Sequence, residues 1–362
     1  MKRRWMTCYG IWWMALALAA GCDATIHEYP SADSGVEEVV VVPLVDRMPP
    51  LYHKLVEYDE EWQRTERELP ERSAQAYVPE EGYEMRVIVD VYEGDVEDLN
   101  AERRRVARHV AMVGKDALPP QDSARFQLPG GDYYVLAWAD YTHAAHEGNC
   151  HYVADTLTNV RSRVDAYPAN PHHRSSAVGR AGFSVDFDQR PGAVVLLRSG
   201  AAESRVVEVE MSRPAGRYRV VAADYDEFAQ TGGDPAGLTV KVIYKQYVSA
   251  GYNVATGEPN LFVSTHSFNV RPEEIEYEGK REESLFGDYI FTSAEGETHV
   301  LADFYFYDAE GNEVSHCQDV DIPLTRNRET VVRGYFLTRE LGEGNGVSID
   351  ENFEGEYVVE IN

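Results

Sequence analysis

Apolar and polar residues alternate one by one through much of this 362-residue chain. A period of two places successive side chains on opposite faces of an extended strand. Met85, Val87, Val89 and Val91 share one face of EMRVIVDVYEG, and Tyr133, Val135, Ala137 and Ala139 share one in GDYYVLAWAD. Tyr218, Val220 and Ala222 do so in GRYRVVAAD, and Val240, Val242 and Tyr244 in TVKVIYKQY. Val300, Ala302, Phe304 and Phe306 do so in THVLADFYFYD. Tyr, with 23 copies, is the commonest aromatic, and it favours strands as Val does. Turn formers separate the segments: Pro-Gly-Gly at 129–131, Pro-Ala-Gly at 214–216 and Glu-Gly-Asn at 310–312. Strands that recur with no regular helix between them specify an all-β protein of antiparallel sandwiches and argue against βαβ units.

Two stretches break the pattern. Leu51, Leu55, Tyr58, Trp62 and Leu69 fall on one helical face, which predicts a helix between Pro49-Pro50 and Pro70, capping one sandwich. Residues 142–176 hold His143, His146, Cys150, His151, His172 and His173 with little alternation, and read as long loops. The frame P-x-G-x-Y-x-V-x-A occurs at 129–137 and again at 214–222. It marks either two related sandwiches or the common grammar of a turn leading into a strand. A boundary near residue 200, in RSGAAESR, leaves about seven strand candidates on each side, as a sandwich needs. The expected organisation is a leader at 1–21, a tether at 22–35, and β-sandwich domains at 36–200 and 201–362.

The leader, MKRRWMTCYGIWWMALALAAG, precedes Cys22. Lys2, Arg3 and Arg4 make a basic head. Tyr9–Ala20 is apolar but shorter than the ~20 residues that span a bilayer. Ala19-Ala20-Gly21 then leads into Cys22, with Leu18 one step earlier than the usual box has it. This is the order of a lipoprotein signal peptide, in which the Cys22 thiol accepts lipid and becomes the first mature residue. The expected address is a bacterial outer membrane, contacted through the lipid alone. The full chain carries a net charge of −28. The leader holds three of the 34 basic residues and none of the 62 acidic ones, so the mature chain carries −31. Such a polyanion is repelled by phosphates, which argues against nucleic acid as a partner. Beyond Cys8 and Cys22, Cys150 and Cys317 remain. A bridge between them is allowed outside the cytoplasm, and free or buried thiols are the preferred reading.

Chemistry-bearing motifs are scarce. The chain has no G-x-S-x-G, no H-E-x-x-H and no phosphate-cradling Gly loop, so it reads as a non-enzyme with no cofactor. H-A-A-H-E-G-N-C-H at 143–151 has metal-ligand residue types but no second pair at finger spacing, and reads as a solvated loop. Asp308-Ala-Glu-Gly-Asn-Glu313 lacks the ligand alternation of a calcium loop and reads as a hairpin turn. Trp138 and Tyr141 are the first candidates for stacking on sugar rings, although Trp138 alternates as a core residue does.

The last third reads TVKVIYKQYVSAGYNVATGEPN at 239–260, FYFYDAEGNEV at 304–314, DIPLTRNRETVVRGYFLT at 321–338 and GVSIDENFEGEYVVEI at 346–361. With the leader, EMRVIVDVYEG and LPGGDYYVLAWADY, it resembles fimbrillin-like lipoproteins of Bacteroidota. The resemblance implies two tandem transthyretin-like β-sandwiches and a place in or beside surface fimbriae, as shaft, anchor or tip accessory. It further implies assembly with other fimbrial subunits by strand donation, main-chain pairing along an open sheet edge. The candidate donor is the last strand, with Phe353, Tyr357, Val359 and Ile361 on one face and Glu354, Glu356 and Glu360 on the other. It either donates or completes its own domain. Val39–Val42 forms an apolar strand followed by Arg47, where shaft subunits of this type are trimmed after a basic residue. Trimming there would discard Cys22, so a retained lipid favours an anchor or accessory. The alternative function is a glycan-binding surface lipoprotein of a nutrient-uptake system, its ligand unknown.

Overall fold

The computed structural model describes residues 36–46, 50–71, 82–94, 104–113, 123–143, 150–163, 174–185, 205–264, 266–277 and 280–338. The leader, Cys22, Arg47 and the segment 346–361 lie outside the described residues. Among those described, strands dominate, with one six-residue helix, α1 (Tyr225–Gln230).

The first sandwich sets a three-stranded sheet against a four-stranded one. In the former, β1 (Glu37–Val45) lies between β11 (Arg205–Met211), which runs parallel to it, and β6 (Ala124–Leu128), which runs antiparallel. The latter is ordered β10 (Ala177–Val185), β7 (Gly131–His143), β4 (Tyr83–Glu93), β5 (Arg105–Val113). Between them lies a core that includes Val39, Val41, Val87, Val89, Val135, Ala137 and Val209, all fully buried. In β4 and β7 the alternating face read from sequence is this core face.

The second sandwich has six strands facing four. The six-stranded sheet runs β17 (Glu273–Tyr277), β18 (Lys280–Phe291), β12 (Ala215–Ala222), β21 (Arg328–Gly334), β2 (Leu51–Tyr58), β3 (Arg64–Glu68). The other runs β16 (His266–Val270), β13 (Thr239–Tyr244), β19 (Thr298–Tyr307), β20 (Glu313–Leu324). Its core takes the expected faces of β12, β13 and β19. The chain is all-β, as the alternation demands.

The strands are not segregated along the sequence as the 36–200 and 201–362 division expects. β11 completes the first sandwich from beyond residue 200, while β2 and β3 enter the second from residues 51–68. Parallel partners far off in the chain leave no local trace, so the boundary could not be read from spacing.

The helix expected over 51–69 is instead the hairpin β2–β3. A register shift falls between Tyr52 and Lys54 and turns Tyr52 to the same side as Leu55, while Val56 and Tyr58 face the main core. Because β2 is apolar on both faces, residues on opposite sides such as Leu55 and Tyr58 fall at helix-like spacing. Asp59 Oδ1 shapes the turn, accepting from Glu61 N at 3.1 Å and Gln63 N at 2.7 Å. Trp62, at φ 61°, stacks on Tyr58 with centroids 4.5 Å apart.

Candidate functional site

Among the described residues β1 is the first element of the chain. It begins just after residues 22–35 and is the middle strand of its sheet. Val39 and Val41 are 0 % exposed against the first core, and Val40 is buried on the opposite face. Val39 and Val41 point into the core, while Val40 lies on the outer face between its neighbours Arg125 and Val206, which are exposed. Removing β1 would strip the partner of β6 and of β11 at once.

A second site is the junction between the sandwiches. The outer face of the β10–β7–β4–β5 sheet is covered, which is why VIVDVY and YYVLAWAD are nearly continuous in burial. The cover is a small sheet assembled from two sources, ordered β15 (Glu258–Val263), β14 (Val248–Asn253), β9 (Val160–Ser162), β8 (Tyr152–Val153). It corrects the expectation of an unpaired loop over 150–162. The two hairpins are joined at Gly251↔Arg161 and Tyr252↔Val160. A Cβ on Gly251 would come 2.9 Å from Val160 O, so glycine permits this approach. Under it lies a third core containing Ile88, Leu136, Trp138, Tyr152, Leu157, Tyr252 and Phe291.

A buried polar network crosses the same junction. The Asp288 carboxylate, on β18 and 0 % exposed, accepts from Arg174 Nη1 at 2.6 Å, Tyr244 OH at 2.7 Å and its neighbour's Tyr289 N at 2.6 Å. Tyr218 and Tyr244 share a 2.5 Å hydroxyl contact. The Arg174 carbonyl accepts from Tyr152 OH at 2.7 Å. Burial, with the Asp288 charge beside them, pushes both the Tyr218 and Tyr244 phenols well above their ordinary value. Two further carboxylates sit on the covered face. Asp140 accepts from Arg86 Nε at 2.9 Å and Nη2 at 2.5 Å, and Asp90 faces Arg105 and Arg108 at 3.3 and 3.2 Å. Burial lifts both, against the pull of these arginines. Nothing in the sequence flagged these residues, since charges recur throughout a chain that is 27 % charged.

Other positions singled out by sequence have structural roles. Trp138 is 0 % exposed, edge-on to Tyr152 at 5.1 Å, so it offers no surface to a sugar ring. Tyr141 is half-buried against the first core. His143 packs edge-on against Tyr83 at 5.2 Å, and His151 is buried; His146, His172 and His173 lie outside the described residues. Cys150 and Cys317 are buried free thiols. Among the described residues no group of three or more His, Cys, Asp or Glu could hold a metal ion, and no helix is long and apolar enough to cross a membrane. Asp308 closes the β19–β20 turn on itself, accepting from Asn312 N at 2.7 Å and Asn312 Nδ2 at 3.0 Å. Asn253 does likewise at 253–257, where Gly257 takes φ 76°. The two P-x-G-x-Y frames differ in use: Tyr133 OH donates to Pro129 O at 2.9 Å, whereas Tyr218 joins the buried network.

The motif at 321–338 locks the second sandwich shut. Thr330 Oγ1 donates to Pro323 O at 2.5 Å, and Asn327 takes φ 56° in the turn before β21. Asp224 Oδ2 accepts from Leu337 N, Thr338 N and Thr338 Oγ1 at 2.8, 2.7 and 2.9 Å. On the surface, Tyr247 and Phe262 of the β14–β15 hairpin are 72 % and 58 % exposed.

The sequence model of a family of unknown function (DUF6562) matches residues 57–362. No curated protein matches the chain. Among solved structures, a candidate adhesin from Bacteroides ovatus is 14 % identical, covers 78 % of each chain and has a TM-score of 0.38. The fimbrial anchor protein Mfa2 from Porphyromonas gingivalis is 11 % identical, covers 78 % of this chain and 82 % of its own, and has a TM-score of 0.36. A candidate cell adhesion protein from Bacteroides uniformis is 13 % identical over 78 % of this chain and 85 % of its own, at a TM-score of 0.33.

Proposed function

Because the chain belongs to the DUF6562 family, for which no function is known, we propose its role from its own residues: a cell-surface lipoprotein of fimbrillin type, tethered to the outer membrane through Cys22 and acting as a fimbrial anchor or accessory subunit. Its work is binding and assembly rather than turnover. One observation carries the reading. β1 begins just past the tether and is built into the first sandwich as the middle strand of its sheet, with Val39 and Val41 fully buried in the core. A subunit trimmed behind that strand would lose its lipid and open its core together. A protein that keeps both has the attributes of an anchor. The C-terminal residues Phe353, Tyr357, Val359 and Ile361 are the proposed means of reaching another subunit, by adding an amphipathic strand to an open edge.

Fractionation tests the tether. Wild-type protein is expected in the membrane pellet and Cys22→Ala in the soluble fraction; a Cys22→Ala protein that still sediments with membranes refutes it. Purified surface fimbriae are expected to contain the chain, and their lacking it while it is abundant on the cell refutes the fimbrial role. Deleting 346–362 is expected to abolish association with other subunits without unfolding the rest.

A further inference from the structure

We propose that this fold is a shear clamp, built to carry load from its N-terminal end to its C-terminal end without opening. The proposal rests on the tether reading above for the direction of load, and on strand topology for the mechanism.

Tension applied upstream of residue 36 enters β1 at its N-terminal end. β11 beside it runs the same way, in register from Val39↔Arg205 to Val45↔Met211. Load passed to β11 leaves at that strand's C-terminal end and reaches β12 three residues later. β12 in turn runs parallel to β21, from Arg217↔Glu329 to Ala222↔Gly334. β2, which follows β1 directly, flanks β21 on its other side, again parallel, from Leu51↔Arg328 to Tyr58↔Gly334. β21 is the last strand described, and its C-terminal end points the load onward. Every joint between the incoming and outgoing chain is therefore a parallel pair pulled from opposite ends.

Geometry decides what such a joint withstands. When parallel neighbours are pulled from opposite ends, the ladder hydrogen bonds stretch together and must fail together. When they are pulled from the same end, the bonds fail one after another. Each bond contributes little net stability, but forced unfolding follows the barrier rather than the equilibrium. The β12–β21 joint is also cross-linked side by side. Arg217 Nη1 lies 3.0 Å and Arg219 Nε 3.3 Å from the Glu329 carboxylate, all three nearly fully buried.

Single-molecule pulling on the purified protein tests this. One handle sits at position 22. The other sits at the C-terminus or on Val206→Cys, a 59 % exposed site at the N-terminal end of β11. Buried Cys150 and Cys317 are replaced by Ala in both molecules. The end-to-end geometry is expected to rupture first at a force severalfold above the 22-to-206 geometry, which loads β1 and β11 from the same end. Equal first-rupture forces overturn the clamp. Urea midpoints of the two molecules are expected to agree; if Val206→Cys shifts the midpoint, exposed Glu208→Cys supplies the same geometry. No lipid is needed, so the clamp and the Cys22 tether can each fail alone.

Discussion

Asp288→Ala separates a structural charge from a decorative one. The carboxylate is fully buried and accepts from Arg174, Tyr244 and Tyr289 at 2.6–2.7 Å. Its removal leaves the Arg174 guanidinium, with a side chain 7 % exposed, facing a void where its counter-charge was. Breaking a buried pair by deleting one partner costs about 3–5 kcal/mol. That is a fall of roughly 10²-fold to 10³-fold or more in the folded-to-unfolded ratio, at about 1.4 kcal/mol per decade. The cost arises from the orphaned charge rather than from any large gain in the pair itself, so Arg174→Met/Asp288→Leu should recover most of it. Urea unfolding read by tryptophan fluorescence measures Asp288→Ala, the singles Arg174→Met and Asp288→Leu, and the double variant, with Trp138 in the adjoining core as an internal reporter. The m-value should stay constant if only stability changes. A loss below about 1 kcal/mol for Asp288→Ala, or a double variant whose loss equals the sum of the singles, would refute the reasoning.

Gly179→Ala should destabilise by about 1–3 kcal/mol in the same assay, because its Cβ would overlap the carbonyl oxygen of Glu210 and push β10 off β11. Burial pulls Glu297 upward, but the hydrogen bond and charge of Lys54, joined by His53 and His299, outweigh it and hold it below the usual carboxylate range. A depressed carboxylate stabilises the fold above its unfolded pKa of about 4.3, and that stability is lost as pH falls through the folded value. Glu297→Gln should thus be destabilised near neutral pH and match wild type well below pH 4, as thermal melts across pH would read. The raised phenols of Tyr218 and Tyr244 work in the opposite sense: stability should fall as pH rises past about 10, and less steeply in Tyr218→Phe/Tyr244→Phe.

Strand faces were legible wherever one face meets a core and the other does not, as in β13 with Val240, Val242 and Tyr244. Where both faces are covered, as in β7, alternation fades, and the sequence names one core while the molecule has two. β2 looked like a helix because it is apolar on both faces, with Leu55 in one core and Tyr58 in another, so apolar residues fall at helix-like spacing. Partnership was the least legible property. Nothing near Leu51 announces Arg328, and nothing near Arg174 announces Asp288. Of the candidate site, Trp138 was rightly weighed as core, and the turns at 253–257 and 308–312 explain their motifs by local hydrogen bonds. Cys22, expected to bear lipid, and residues 346–361, expected to form the terminal strand, lie outside the described residues.

The pairing of β2 with β21 also bears on how the molecule comes to exist. A chain made from its N-terminus presents Leu51–Tyr58 long before Arg328–Gly334 is available to flank it. The second sandwich cannot close until nearly the whole polypeptide has emerged, and contacts so distant in sequence are slow to form. The β2–β3 edge must wait meanwhile, and its outermost strand, RTERE, is exposed at every position and charged at four of its five residues. Such an edge resists pairing with a neighbouring unfinished chain. Late closure keeps the second sandwich open through most of synthesis, and the charged edge opposes mispairing during that interval.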